Sequence, residues 1–277
     1  MPLDTILLVL CGAALHATWN ALVKSGTDKQ LDSIMVALGA SFASICALPL
    51  LPMPNAAAWP FILGSVCIHF TYYQLVGAAY RHGDIGLVYP LMRGVAPLIV
   101  ATTSGAILGE HLSPVMFASV AFICAGVLTI AADFRRGHGK AIWIALANAV
   151  VISAYTYVDG VGARLAGNPV SYVLWGFIGI CICLAPYALW RNGHRLLADL
   201  THFWQRGLAG GALQVVSYGI ALWAMTWAPI AIIASLRETS VLFGALIAVL
   251  VLEEPLRAAR VAAALLIVTG LVLIRLQ

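Results

Sequence analysis

The sequence predicts an all-α integral membrane protein: ten transmembrane helices in two inverted five-helix repeats. Three observations predict it. The chain has 277 residues, 62% hydrophobic and only 9% charged, whereas a soluble domain carries about 25% charge. Ten apolar stretches approach the ~20 residues that cross a bilayer as a helix. Polar landmarks in the first five stretches recur in the last five at a nearly constant offset.

The composition excludes whole classes. So little charge cannot cover a water-facing surface, which argues against a soluble enzyme. Nucleic-acid binding would need a basic stripe, and none is present. The six cysteines lie in apolar runs, where buried cysteine acts as a small hydrophobe. None has metal-ligand spacing, so neither a metal nor a cofactor is expected.

The spans fall at 3–23, 33–52, 59–80, 85–108, 114–132, 141–163, 170–190, 206–226, 229–251 and 258–275. The first has no basic residue before it, unlike a secretory leader, and reads as a retained span. Breakers mark the connections: Pro52-Met53-Pro54-Asn55, Arg81-His82-Gly83-Asp84, Arg135-Arg136-Gly137-His138-Gly139 and Arg191-Asn192-Gly193. Asp159 and three glycines interrupt the end of the sixth span, which is the least regular of the ten.

The repeat divides the chain at residues 1–134 and 135–277. Arg93 to Glu110 spans the same 17 residues as Arg237 to Glu254, at an offset of 144 that also pairs Gly126 with Gly270. At offset 137, His16-Ala17-Thr18-Trp19-Asn20 falls over Ser153-Ala154-Tyr155-Thr156-Tyr157, and Pro49 over Pro186. Five is odd, so the second half enters from the opposite face. Inverted repeats are a transporter signature, because mirrored halves can exchange roles and open alternately to each side.

Charge sets the orientation. Of the 15 basic residues, eleven lie in the connections after odd-numbered spans, two (Arg164 and Arg275) on the other side, and two (Arg93 and Arg237) within spans. The positive-inside rule places the eleven in the cytoplasm and both termini on the non-cytoplasmic side, most simply of a bacterial inner membrane.

The two five-span halves, the Gly109-Glu110-His111-Leu112 and Glu253-Glu254-Pro255-Leu256 corners and the glycine-bearing closing spans carry a resemblance. The chain resembles the drug/metabolite transporter superfamily, in its ten-helix form with two EamA-type repeats, over essentially its whole length. That resemblance implies secondary or facilitative transport of small organic metabolites by alternating access. Export of amino acids, hydrophobic and aromatic ones favoured, is the leading expectation. Import or exchange of anionic metabolites and drug efflux are alternatives. Many ten-span relatives keep both termini in the cytoplasm, whereas the charge here says the reverse. Small four-helix relatives couple to protons through a first-span glutamate, whereas the first span here has His16 and no acid.

Residues with chemistry at membrane depth are the candidate substrate site. Arg93 lies about 12 Å into the fourth span at 1.5 Å per residue, where a charge costs at least about 2.5–3.5 kcal/mol. Arg237 takes the matching place in the ninth span. Either guanidinium could clamp a carboxylate or serve a structural pair. Glu238 points about 100° away from Arg237; it could bind an ammonium, carry a proton, or bridge to Arg93 across the halves. Pro90 and Pro97 bracket Arg93 and free the carbonyls of Gly86 and Arg93, which makes the fourth span a candidate hinge.

His16, Trp19, Asn20 and Val23 form one semi-polar stripe, suited either to a mixed ligand or to interhelical hydrogen bonds. Tyr72, Tyr73, Gln74, Tyr155, Tyr157, Gln214, Tyr218 and Trp223 add polar aromatic and amide groups within spans. Of these, Tyr72, Tyr155, Gln214 and Tyr218 are candidate cavity residues. Trp59, Trp143, Trp190, Trp204 and Trp227 suit an interfacial belt. Gly126 and Gly270 fit close packing between the fifth and tenth spans. An intramembrane enzyme would need a converging acid–base or metal set, and no Ser/His/Asp arrangement is apparent. A channel would need a filter. The expected partners are a small solute and the bilayer, with monomer and homodimer both open.

Overall fold

A computed structural model describes residues 2–24, 29–131, 139–250 and 258–276. The helices in chain order are α1 (Leu3–Lys24), α2 (Lys29–Ala47), α3 (Trp59–His82), α4 (Ile85–Leu108), α5 (Pro114–Ala131), α6 (Gly139–Leu165), α7 (Pro169–Asn192), α8 (His194–Met225), α9 (Ile230–Arg237), α10 (Ser240–Leu250) and α11 (Ala258–Arg275). No strand occurs among the described residues. Nine helical stretches are long and apolar enough to cross a membrane, with α9 and α10 counted as one. A tenth, Pro114–Ile130, is slightly shorter. The protein is thus an all-helical integral membrane protein. The Glu253-Glu254-Pro255-Leu256 corner and most of the Arg135–Gly139 connection lie outside the described residues.

Three elements depart from expectation. The sixth span is not interrupted, since α6 runs unbroken for 27 residues. Its glycines serve close packing instead. A Cβ on Gly162 would strike the Tyr172 ring, and one on Gly160 the Ile230 side chain. The seventh connection is largely absent. Gly193, at φ +52°, ends α7, and α8 begins at once at His194, ahead of its predicted start at 206. The ninth span is broken where sequence showed no breaker. After Arg237 the chain turns through Glu238 and Thr239 before α10 resumes. The fourth span, despite Pro90 and Pro97, is one helix.

Small residues set the closest approaches. In α2 and α8, Gly39 meets Gly207 and Ala40 meets Gly211 backbone to backbone, so no side chain fits at either glycine position in α8. Along α5 and α11, a Cβ on Gly126 would lie 2.8 Å from the Ala263 carbonyl, and one on Gly270 2.8 Å from that of Ser119. The fifth and tenth spans therefore pack as expected of a scaffold pair. Helices α1, α3, α4, α6, α7, α8 and α9 surround the interior cavity. Trp143 and Trp190 lie exposed near helix ends, as an interfacial belt requires, whereas Trp204, also exposed, lies inside α8, which starts earlier than predicted. Trp59 instead packs edge-on against Trp175.

Candidate functional site

The cavity is built from side chains that would be costly anywhere else in a bilayer. Nine of the ten expected substrate-site residues line it: His16, Trp19, Asn20, Tyr72, Arg93, Tyr155, Gln214, Tyr218 and Arg237. The tenth, Glu238, stands behind Arg93. Sequence reasoning did not place Ser65, His69, Tyr73, Tyr89, Asp159 or Tyr172 here, yet all six also line the cavity. Its volume is about 80 Å³. One water needs about 10–15 Å³ of such space, so it takes roughly six waters or one small solute.

The two arginines have different surroundings. Arg93 Nε donates to Glu238 Oε2 at 2.9 Å, and its Nη2 lies 2.8 Å from Oε1. Both side chains are about 5% exposed. This is the bridge across the halves that the sequence allowed, and it largely neutralises Arg93. The Nη2 contact is an ion pair without hydrogen-bond alignment, so that nitrogen still lacks a hydrogen-bond partner. Arg237 has no carboxylate partner among the described residues; its guanidinium carbon lies 4.8 Å from the centroid of the Tyr218 ring. The break after α9 separates the two charges: Arg237 ends the helix on the cavity, and Glu238 turns towards Arg93.

The same cavity carries a carboxyl group. Asp159 is fully buried. Tyr172 donates to its Oδ1 at 2.9 Å, Tyr218 donates to its Oδ2 through a short hydrogen bond, and His69 Nε2 lies 4.0 Å from Oδ2. His69 stacks on Tyr155, centroids 4.3 Å apart, and meets Tyr72 and Tyr218 edge-on. Ser65 Oγ lies 3.1 Å and the Ser65 carbonyl 3.0 Å from His69 Nδ1. Ser65, His69 and Asp159 are thus in line, an arrangement the sequence did not reveal. Nδ1 can donate to that carbonyl or, in the other tautomer, accept from the Ser65 hydroxyl.

On the α1 stripe, Asn20 Nδ2 donates to the His16 carbonyl at 2.8 Å, and the His16 and Trp19 rings meet edge-on. The buried Trp19 Nε1 and Gln214 Oε1 lack hydrogen-bond partners. Buried polar atoms rarely stay unpaired. A donor and an acceptor left open on one cavity fit a polar solute or water. Elsewhere, Tyr157 leaves the cavity to donate to the Val100 carbonyl at 2.8 Å. Trp223 packs on Trp227 near the end of α8.

The Gly109 corner has its own function in the fold. Gly109, at φ +68°, ends α4 in the left-handed region that favours glycine. Glu110 then reaches the second half of the chain: its Oε1 lies 2.5 Å from Arg164 Nη2, and its Oε2 accepts from the Ile230 N–H at 3.0 Å. Arg164 also donates to the Met225 and Ala228 carbonyls. One carboxylate therefore caps the first turn of α9 and ties it to α6.

Comparisons with known proteins fit this architecture. Residues 139–276 match the model of the EamA-like transporter family. No curated protein matches the chain. A crystal structure of a protein with 18% identity aligns over 98% of this chain and 97% of its own, with a TM-score of 0.73. At that identity the likeness is one of fold.

Proposed function

We propose that this chain, which belongs to the EamA-like transporter family and is therefore a membrane transporter of small molecules and not an enzyme, exports small zwitterions by alternating access, hydrophobic and aromatic amino acids first among them. One observation carries the reading. A single ring, Tyr218, has a cation without a carboxylate partner over its face and an anion at its hydroxyl. A zwitterion brings the complement of both. Arg237 would take its carboxylate through charge-assisted hydrogen bonds. Asp159 and the faces of Tyr155 and Tyr72 would receive its ammonium group, since aromatic faces attract cations. Trp19 Nε1 and Gln214 Oε1 offer further hydrogen bonds, and His16 and Asn20 complete the wall on α1.

In this reading Arg93 and Glu238 are a positioning pair. They join the fourth and ninth spans beside the cavity, and Pro90 and Pro97 would let α4 bend as the halves exchange roles. Residues 1–134 and 135–277 would be those halves, with both termini outside a bacterial inner membrane. The anionic-metabolite alternative rests on two arginines, and the Glu238 carboxylate already balances one of them.

Counterflow in proteoliposomes tests the proposal. Vesicles are preloaded with an amino-acid mixture, one labelled amino acid is supplied at a time, and no pH gradient is imposed. Transient accumulation of leucine, phenylalanine or a similar solute is the expected result. A flat response across the panel overturns it.

A further inference from the structure

The His69 environment contains an unresolved charge relation. Nδ1 lies 3.0 Å from the Ser65 carbonyl, to which the Nδ1–H tautomer donates. In that neutral tautomer Nε2 carries a lone pair. That lone pair faces Asp159 Oδ2 across 4.0 Å, beyond the 2.7–3.2 Å of a hydrogen bond. Two electron-rich atoms thus face each other across a gap that one added proton converts into an ion pair or a shared hydrogen bond.

We propose that the His69–Asp159 pair is a proton-binding site, and that a proton there and the ammonium group of the substrate exclude one another. The proposal rests on the zwitterion reading above and deepens it: the carrier exchanges one proton for one substrate molecule. The step balances simply. A proton from water on the acidic side forms the Nε2–H bond, and the same proton returns to water on the other side. Proton uptake cancels the anion that would hold the ammonium, so substrate leaves; proton release restores the anion, so substrate binds. With the outside more acidic, this cycle drives export.

The other groups on the cavity fit that assignment. From α6 Tyr155 stacks on His69, and from α8 and α7 Tyr218 and Tyr172 hold the Asp159 oxygens. Phenols in water ionise only near pH 10. From α9 Arg237 supplies a fixed positive charge, and from α4 Arg93 is balanced by Glu238, beside Tyr89. His16 of α1 faces the same cavity, and no carboxylate among the described residues pairs with its ring. Tyr218 links the two events, because its hydroxyl serves Asp159 while its ring lies under Arg237.

The test uses the full chain in proteoliposomes with a pH-sensitive dye inside, potassium and valinomycin clamping the voltage, and a zwitterion positive in counterflow. An outward substrate gradient should acidify the lumen, and the apparent affinity should fall about tenfold per pH unit on the acid side. His69→Gln should hold that affinity within twofold over the same range. Tyr218→Phe, which removes one donor to Asp159, should move the midpoint upward by roughly one pH unit. Counterflow without lumen acidification, or a flat pH profile in the parent protein, overturns proton exchange and leaves the zwitterion carrier standing. A pH profile that neither variant changes overturns the assignment to this pair. Absent counterflow overturns the transport reading and this inference together.

Discussion

Glu238 holds Arg93 through two contacts, 2.9 Å to Nε and 2.8 Å to Nη2, with both side chains about 5% exposed. Their positions, 145 residues apart, make this bond a buried charge link between the fourth and ninth spans. Removing one partner of a buried pair leaves the other charge uncompensated, which costs about 3–5 kcal/mol. Removing both with apolar residues of similar volume costs much less. Glu238→Gln and Arg93→Met alone should each lower the thermal midpoint in detergent sharply, whereas the double variant Arg93→Met/Glu238→Met should recover most of the loss. A double-mutant cycle measures the coupling; additive losses would contradict a direct pair.

Arg237 should behave differently, because no carboxylate among the described residues pairs with it. A hydrogen bond to a charged partner contributes about 1.5–3 kcal/mol. Arg237→Ala should therefore raise the apparent KM for a zwitterionic substrate by roughly 10- to 150-fold, with little change in thermal midpoint. Arg237→Lys should recover part of the affinity, since the ammonium keeps the charge but loses the planar fork. Counterflow at graded substrate concentrations gives both values.

Gly176 lines the cavity, and nothing lies within 4 Å of where its Cβ would stand. Gly176→Leu should fold normally and narrow the space for substrate. Transport of phenylalanine should fall at least about tenfold, on the scale of one or two misfitted methylenes in a pocket. Alanine transport should change by less than about twofold. Equal losses for both substrates would mean that this wall does not meet the side chain.

Glu110 joins the end of α4 to the start of α9 and to Arg164 of α6. Loss of a helix cap costs about 0.5–2 kcal/mol. Glu110→Ala should lower stability by about that amount and leave the apparent KM within twofold, because Glu110 lies outside the cavity. Thermal unfolding in detergent and a saturation curve separate the two effects.

Glycine contacts give opposite signs at two positions. Gly126→Val forces atoms into the Ala263 carbonyl and the Ile267 side chain, and overpacking of this kind costs about 1–3 kcal/mol. Gly244→Ala, with nothing within 4 Å, should gain about 0.5–1 kcal/mol from helix propensity. Thermal unfolding of both variants checks the contrast.

Much of this was legible in the sequence because a bilayer penalises polarity. Arg93, Arg237, Gln214, Tyr72, Tyr155 and Tyr218 stood out at depth, and they line one cavity. Asp159 carried the same signal, an acid within a span, but near the predicted end of the sixth helix it read as an interruption. The structure shows it bonded to Tyr172 and Tyr218, partners from two other helices. His69 was hidden for a related reason: its Ser65 contact is local, one helical turn away, and its Asp159 contact is not. The break after Arg237 had no proline to announce it. The reach of Glu110 to Ile230 depends on how two distant spans end side by side, which spacing along the chain does not encode.

The central claim is that one substrate satisfies Arg237 and Asp159 together. Competition binding on the purified protein tests it most directly, with phenylalanine set against phenethylamine, which lacks the carboxylate, and 3-phenylpropionate, which lacks the ammonium. Phenylalanine should bind at least about tenfold tighter than either, and Arg237→Ala should erase its advantage over phenethylamine alone. Equal binding of phenylalanine and 3-phenylpropionate would contradict the account and make the cavity an anion site.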